Sequence, residues 1–196
     1  MKKAFYSLLF VILFSTTAFA QQKDFKTIGL GVRYYPGSFN KYIQENEGVT
    51  ATLVTAAWNF TPGFRLETDF GFYSHHIKSE KVKINSKTIG VGIIKAVRKG
   101  NHVFLPGLKI DYTWGNTKID IQNYGEAEEK IERIAIGPFL GYEYLISNTI
   151  GIGADIGLKY SHFESKLTDA PLTISYFPVE TKSYFTDSSV FLRVYF

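Results

Sequence analysis

The sequence contains no cysteine, so disulfides cannot stabilise the fold. Beyond residue 20 it also lacks a long apolar run, because Gly, Thr, Lys or Asp interrupts the apolar residues every few positions. This excludes a membrane-spanning helix, which needs about 20 apolar residues in succession. The sequence also lacks a large excess of basic or acidic residues: the formal net charge is +4 and the basic residues are dispersed. We therefore expect no nucleic-acid partner.

The first 20 residues have the features of a cleaved signal peptide. Lys2 and Lys3 form a basic start, an apolar stretch follows, and an Ala-x-Ala cleavage site ends at Ala20. We therefore expect residues 1–20 to be removed and residues 21–196 to form one domain. Losing both lysines lowers the basic count from 22 to 20 against 18 acidic residues, which leaves a formal charge of +2.

The sequence is rich in aromatic residues, at 16%, and in glycine. Apolar residues alternate with other residues at period two. In one stretch Phe64, Leu66, Phe70 and Phe72 alternate with charged residues and glycine. Such alternation predicts strands with one apolar face. Eight are predicted: 26–35, 49–60, 64–74, 87–97, 102–114, 132–146, 150–162, and a last strand from about 184 onwards.

The connections between the predicted strands alternate in length. Tight turns follow the second, fourth and sixth strands, whereas long polar segments follow the others: 36–48, 75–86, 115–131 and 163–183. This layout is typical of a small membrane barrel. In hydrocarbon no water can satisfy backbone groups, so a sheet must close on itself. The fold class predicted is all-β, a transmembrane eight-stranded antiparallel up-and-down β-barrel.

The inward faces of these strands carry charge that is balanced. Six basic and six acidic residues share them with glycines: Arg33, Arg65, Lys109, Arg133, Lys159, Arg193, Glu67, Asp69, Asp111, Glu143, Asp155 and Asp187. An eight-stranded barrel has an interior that side chains fill. Buried charges need opposite charges beside them. We therefore predict an ionic plug inside the barrel rather than a conducting pore.

The outward faces carry aromatic residues near both ends, as in the two girdles of membrane barrels. Those near the tight turns are Trp58, Phe60, Phe64, Phe104, Tyr142, Tyr144 and Phe196; those near the long connections are Tyr34, Tyr73, Tyr112, Trp114, Tyr160 and Tyr184. Pro106 and Pro138 also fall on this face. Because proline removes a ladder donor, we expect a bulge or a rim position at each.

The last residues carry the most specific motif. Val190, Leu192, Val194 and Phe196 lie on one face of the last strand, and the chain ends on the aromatic residue. This ending resembles the C-terminal recognition signal of Gram-negative outer-membrane proteins. The whole layout is similar to that of the small eight-stranded barrels of the OmpX, OmpA membrane-domain, OmpW-like and PorT-like types. The resemblance implies an outer-membrane location, contact with its lipid, and assembly by periplasmic chaperones and the barrel-assembly machinery. A secreted lipocalin is the rival fold, but its exterior is polar and its Gly-x-Trp motif is missing here.

The function indicated is non-catalytic: envelope integrity, or contact with an extracellular or envelope partner. The longest connection contains apolar residues, which loops seldom carry: Ile174, Tyr176, Phe177 and Val179. They are the candidate contacts for a partner that adds a strand. The alternative is that the last two strands simply extend beyond the membrane and pack on each other.

Two other functions remain open alternatives. One is a rim-located enzyme that modifies lipid A, with Ser161, His162 and Glu164 as its candidate residues. Adjacent residues on a strand point to opposite faces, which is poor geometry for a nucleophile and its base. The other is a narrow passive channel, which a charge-filled interior opposes. His75 and His76 are adjacent and lack a third ligand, so no metal and no cofactor is expected.

Overall fold

The computed structural model describes residues 27–35, 51–60, 63–77, 82–121, 125–169 and 179–196. Within these ranges there are nine strands and no helix: β1 (Ile28–Tyr35), β2 (Ala51–Phe60), β3 (Phe64–Ile77), β4 (Val82–Lys95), β5 (Val97–Lys99), β6 (His102–Ile121), β7 (Gly125–Leu145), β8 (Ile150–Asp169) and β9 (Val179–Tyr195). The predicted signal peptide lies outside the described residues. In these ranges no helix is long and apolar enough to cross a membrane.

The strands form one closed antiparallel sheet. Each strand pairs with its neighbours along the chain, except that β4 and β5 do not pair with each other but both pair with β6, and β9 pairs with β1. The short β5 continues β4 in the same register against β6, since Ile94 lies opposite Gly107 and Val97 opposite Phe104, with a break only at Ala96. The ring therefore has eight strand positions. The predicted eight-stranded up-and-down barrel is confirmed.

The two faces of the sheet separate as the alternation predicts. On β3 the outward Phe70 and Phe72 are 54% and 60% exposed, whereas the inward Glu67 and Asp69 are 2% and 1% exposed. The same pattern recurs around the ring, so the outer wall is a continuous apolar band. An exposed apolar area of this extent marks a surface that meets lipid or protein rather than water.

The strands are longer than predicted at the end opposite the tight turns, which we call the extended end. Three of the predicted long connections are mostly strand: 75–86, 115–131 and 163–183. The fourth, 36–48, lies outside the described residues. β6, β7 and β8 have 20 or 21 residues each, about twice the 9–11 that cross a bilayer. At this end the polarity of the two faces is reversed, since on β7 Glu128 and Lys130 face outward while Ala127 and Ile131 are buried inside.

The smaller expectations for Pro138 and Tyr73 are wrong, whereas that for Pro106 is met in one of its two forms. Pro106 lies opposite Leu140 and Pro138 opposite Leu108 in a continuous β6–β7 register, so this pair has no bulge at either proline. Pro106 lies close to the start of β6, so the alternative expectation of a rim position fits this proline but not Pro138. Tyr73 does not belong to the outer girdle. It occupies an inward position of β3 and its hydroxyl is buried.

An apolar cluster fills the interior near the tight turns, a feature that the sequence reasoning missed. Its buried members are Ile94, Ala96, Val103, Leu105, Leu145, Phe191 and Tyr195, and Phe139 packs against them. They sit at inward positions of strands that also carry charged, hydroxyl-bearing and glycine residues on the inner face. Part of the interior is thus held by ordinary hydrophobic packing, which needs no charge partner.

The interior glycines make room for close approach between strands, and Gly137 on β7 gives a direct test. A Cβ atom there would clash with the carbonyl oxygen of Leu158 and lie 2.8 Å from Lys159 Cα. We expect Gly137→Ala to lower the free energy of unfolding by about 1–3 kcal/mol, since backbone must move. Urea unfolding in lipid vesicles measures this.

The matched control is Gly92→Ala on β4. A Cβ atom at Gly92 would lie 3.6 Å from the carbonyl oxygen of Leu108, an ordinary contact distance. This variant should unfold close to the wild-type midpoint. Equal losses in the two variants would show that crowding does not decide the effect.

Candidate functional site

The centre of the barrel interior is built around Arg33 on β1. Its guanidinium pairs with Glu67 and, at 2.6 Å, with Asp69, both from β3. A third carboxylate, Asp155 on β8, lies 3.2 Å away and also accepts a hydrogen bond from Ser189. Arg33 is 1% exposed. One buried cation is therefore compensated from strands on both sides of the ring.

A second group of charges lies toward the tight turns. Arg193 on β9 pairs with Glu67 at 2.5 Å and with Glu143 on β7 at 3.6 Å. Arg65 on β3 pairs with Glu143 at 3.0 Å. The Tyr195 hydroxyl donates to Glu143 at 2.6 Å and accepts from Arg65 at 2.9 Å. Glu143 therefore joins three strands through hydrogen-bonded partners.

A third group lies toward the extended end. Lys109 on β6 pairs with Asp69 and donates to the Tyr35 hydroxyl at 3.0 Å. Lys159 on β8 pairs with Asp111 at 2.6 Å and with Asp187 at 2.5 Å. Asp111 lies 4.0 Å from Lys109, which connects this group to the centre.

Eleven of the twelve predicted interior charges are thus brought together through the contacts above. We call all twelve the interior ionic network. The twelfth, Arg133 on β7, lies with its guanidinium 5.4 Å from the centroid of the Phe185 ring. Glycines leave space for several carboxylates: a Cβ at Gly90 would lie 2.5 Å from an oxygen of Asp111. In a low-dielectric interior such charges are tolerated only when paired and hydrogen-bonded.

The sequence reasoning missed the hydroxyl groups that complete the network. Tyr35, Tyr195 and Ser189 each bond to a charged member. Their inward parity was visible in the sequence, since Tyr195 lies two residues after Arg193 and Ser189 two after Asp187. A polar residue next to a charge at spacing two was the signal that could have found them.

The C-terminal motif residues lie on the outer wall. Val190, Leu192, Val194 and Phe196 are all exposed, and Phe196 N donates to Ile28 O at 2.9 Å. Of the candidate partner contacts, Val179 begins β9 and is exposed. Ile174, Tyr176 and Phe177 lie outside the described residues.

Of the residues considered for catalysis, Ser161 does not meet the other two in the described structure. The Ser161 hydroxyl faces inward and lies 3.0 Å from the Ser183 hydroxyl. His162 instead lies 3.0 Å from Glu164 and 3.7 Å from Glu180. The hydrogen bond with His162 holds the pKa of Glu164 below its ordinary value. Among the residues that the structure describes, no group of three His, Cys, Asp or Glu side chains could hold a metal ion.

Comparisons with known proteins agree with this architecture. The family model for the outer membrane protein β-barrel domain matches residues 6–132. The crystal structure of Neisserial surface protein A is similar with a TM-score of 0.50 at 13% identity, covering 89% of this chain and 100% of that one. A major outer membrane protein from Thermus thermophilus gives 0.51 at 11% identity, covering 87% and 98%. Ail, the attachment invasion locus protein of Yersinia pestis, gives 0.47 at 10% identity, covering 87% and 96%. No curated protein matches the chain.

Proposed function

Since the chain belongs to the outer membrane protein β-barrel family, we propose that it is a non-catalytic barrel that contacts an extracellular or envelope protein. The contact is made by the strands of the extended end. The family and the apolar outer wall put the barrel in outer-membrane lipid. What we propose beyond this is the protein partner and its contact with the strands of the extended end.

The proposal includes how the chain reaches the membrane. Residues 1–20 are cleaved, residues 21–196 form the barrel, and the termini and tight turns face the periplasm. Periplasmic chaperones deliver the chain and the barrel-assembly machinery inserts it, with Val190, Leu192, Val194 and Phe196 as the recognition signal. The support is the period-two apolar ending of the sequence and its place on the outer wall beside β1.

The observation that supports the partner contact is the edge of β9 at the extended end. In the described residues β1 pairs with β9 no further than Tyr34 opposite Val190. β9 continues for 11 more residues to Val179, paired with β8 as far as Ser165. An edge with unpaired backbone N–H and C=O groups is the template that strand addition uses. Val179 lies at the start of that edge, and we propose that it contacts the partner together with Ile174, Tyr176 and Phe177, which precede it in the sequence.

Two observations support a role without catalysis or conduction. Ser161 and His162 are on opposite faces of β8, so the histidine cannot take a proton from that hydroxyl. The interior ionic network and the apolar cluster fill the barrel, which opposes passage of solutes. A lipid A-modifying enzyme and a narrow channel remain the alternatives that experiments must separate.

Photo-crosslinking in intact cells tests the partner contact. A photoreactive residue at Tyr184, on the β9 edge, should yield a discrete protein adduct. The same residue at Leu192, on the lipid-facing wall, should yield only lipid adducts. Deleting residues 170–178 should reduce the Tyr184 adduct by about tenfold while the barrel keeps its heat-modifiable migration on gels. Identical adducts at the two positions, or no adduct at Tyr184, would contradict the proposal.

Lipid A masses distinguish the enzymatic alternative. Cells lacking the protein, and cells carrying wild-type or His162→Ala protein, should all show one acyl pattern. A pattern that wild-type protein alters and the His162→Ala protein does not would establish catalysis instead.

A further inference from the structure

A pocket on the outer wall has no role in the function proposed above. Its volume is about 430 Å³ and it lies across β3, β4, β6 and β7. Its floor is the sheet itself at Ser86, Gly115 and Ile131. Ser86 and Ile131 are buried on the inner side, so the pocket opens outward. Its volume is within the range of small-molecule sites, about 300–1,000 Å³.

The pocket has an aromatic side and a polar side. Lys87 on β4 lies between two aromatic residues on neighbouring strands, opposite Phe72 on β3 and Trp114 on β6. One row further toward the extended end, Asn85 lies opposite Asn116, and Asn116 opposite Lys130 on β7. All six of these residues line the pocket, so one amine lies between the two rings and a row of amine and amide groups follows directly beyond them.

The carboxylates of the pocket already have partners, whereas its lysines do not form ion pairs. Glu128 accepts a hydrogen bond from Asn116 at 2.7 Å and lies 3.4 Å from Lys118. Glu132 interacts electrostatically with the Tyr112 hydroxyl. Among the described residues, Lys87 and Lys130 have no ion-pair partner, and Lys130 attracts Glu128 only at longer range. Two ammonium groups are therefore available to an anion.

The height of the pocket matches that of lipid head groups. Tyr112 and Trp114 stack with ring centroids 5.4 Å apart. Such rings lie at the boundary between hydrocarbon and head groups. Lys87 lies opposite Trp114 and is therefore at the same height. Glu132 also lies opposite Trp114, and Lys130 is two residues from Glu132 toward the extended end. A free inorganic anion would gain nothing from the aromatic side, whereas an amphiphile uses both.

From this geometry we propose that the pocket binds the phosphate-bearing head group of a membrane lipid. Lys87 and Lys130 contact the phosphate, and Phe72 and Trp114 contact the start of the acyl region. With the tight turns in the periplasm, as proposed above, this lipid belongs to the outer leaflet. The pocket itself does not depend on the partner contact of β9.

Native mass spectrometry of the full mature protein in detergent tests this inference. The probes are bis-phosphorylated lipid A, the same lipid after enzymatic removal of both phosphates, phosphatidylglycerol, and inorganic phosphate. We expect lipid A to bind and K87Q/K130Q to weaken it about 30-fold, as two surface lysines predict. The control is K166Q/K182Q, which removes the same charge from lysines that pair with Glu164 and Glu180.

Each outcome decides the inference. Loss of binding in the pocket variant alone, together with weak binding of dephosphorylated lipid, supports it. Equal losses in the two variants would reduce the effect to general surface charge and overturn it, as would unchanged binding in both. Binding of inorganic phosphate as tight as that of lipid would also overturn it. Selective binding of phosphatidylglycerol would support a lipid phosphate site but reverse the proposed orientation of the barrel in the membrane. The partner contact of the β9 edge would still be tested separately by crosslinking.

Discussion

We expect Glu67→Gln to lower the free energy of unfolding by about 3–5 kcal/mol. Glu67 is 2% exposed and pairs with Arg33 and Arg193. Glutamine keeps the volume but removes the charge, so two buried guanidinium groups lose a shared carboxylate. An uncompensated buried charge costs far more than the pair contributes. Urea unfolding in phospholipid vesicles, followed by tryptophan fluorescence, measures the loss.

The control is Glu180→Gln on the exposed part of β9. Glu180 pairs with Lys182 at 2.9 Å, but both side chains are more than half exposed. Exposed pairs contribute about 0–1 kcal/mol. If the two variants unfold at the same urea concentration, burial does not govern the interior ionic network.

We expect Ile156→Lys to cost about 2–4 kcal/mol of folding stability in a bilayer. Ile156 lies on the outer wall of β8, between Ile150 near the tight turn and Tyr160 in the aromatic girdle. An ammonium group at that depth meets hydrocarbon on every side. The comparison of unfolding midpoints in vesicles measures the effect.

Ile146 provides the matched control. It is 59% exposed against 58% for Ile156, but it follows the end of β7 in a tight turn. Ile146→Lys should cost about 0–1 kcal/mol, as near the interface. Equal costs for two side chains of equal exposure would mean that lipid depth has no influence, and the bilayer placement would be wrong.

The sequence predicted the barrel wall well because lipid imposes a strict alternation. Phe70 and Phe72 on β3, or Val190 and Leu192 on β9, can only face outward once one face must be uncharged. The same parity placed Arg33 and Glu67 inside. Their pairing across the ring was not predictable, since it depends on register and on which rotamers fit beside the glycines.

The rest escaped prediction for physical reasons. At the extended end of β7, Glu128 and Lys130 face outward while Ile131 is buried inside, so the apolar side is the inner one and the pattern that identified the other strands does not apply. The interior apolar cluster was missed for the same reason. Val103 and Leu105 are apolar but lie at inward positions, whereas the pattern used for prediction places apolar residues on the outer face.

The pairing of β9 with β1 makes the wall depend on residues from opposite ends of the polypeptide. Gly29 lies opposite Tyr195, the last residue but one. Contacts so distant along the chain form late and slowly. A nascent polypeptide that has delivered eight of the nine strands still exposes two open sheet edges, which are prone to aggregate. The ring can therefore close only after β9 is available, and until then both open edges remain exposed.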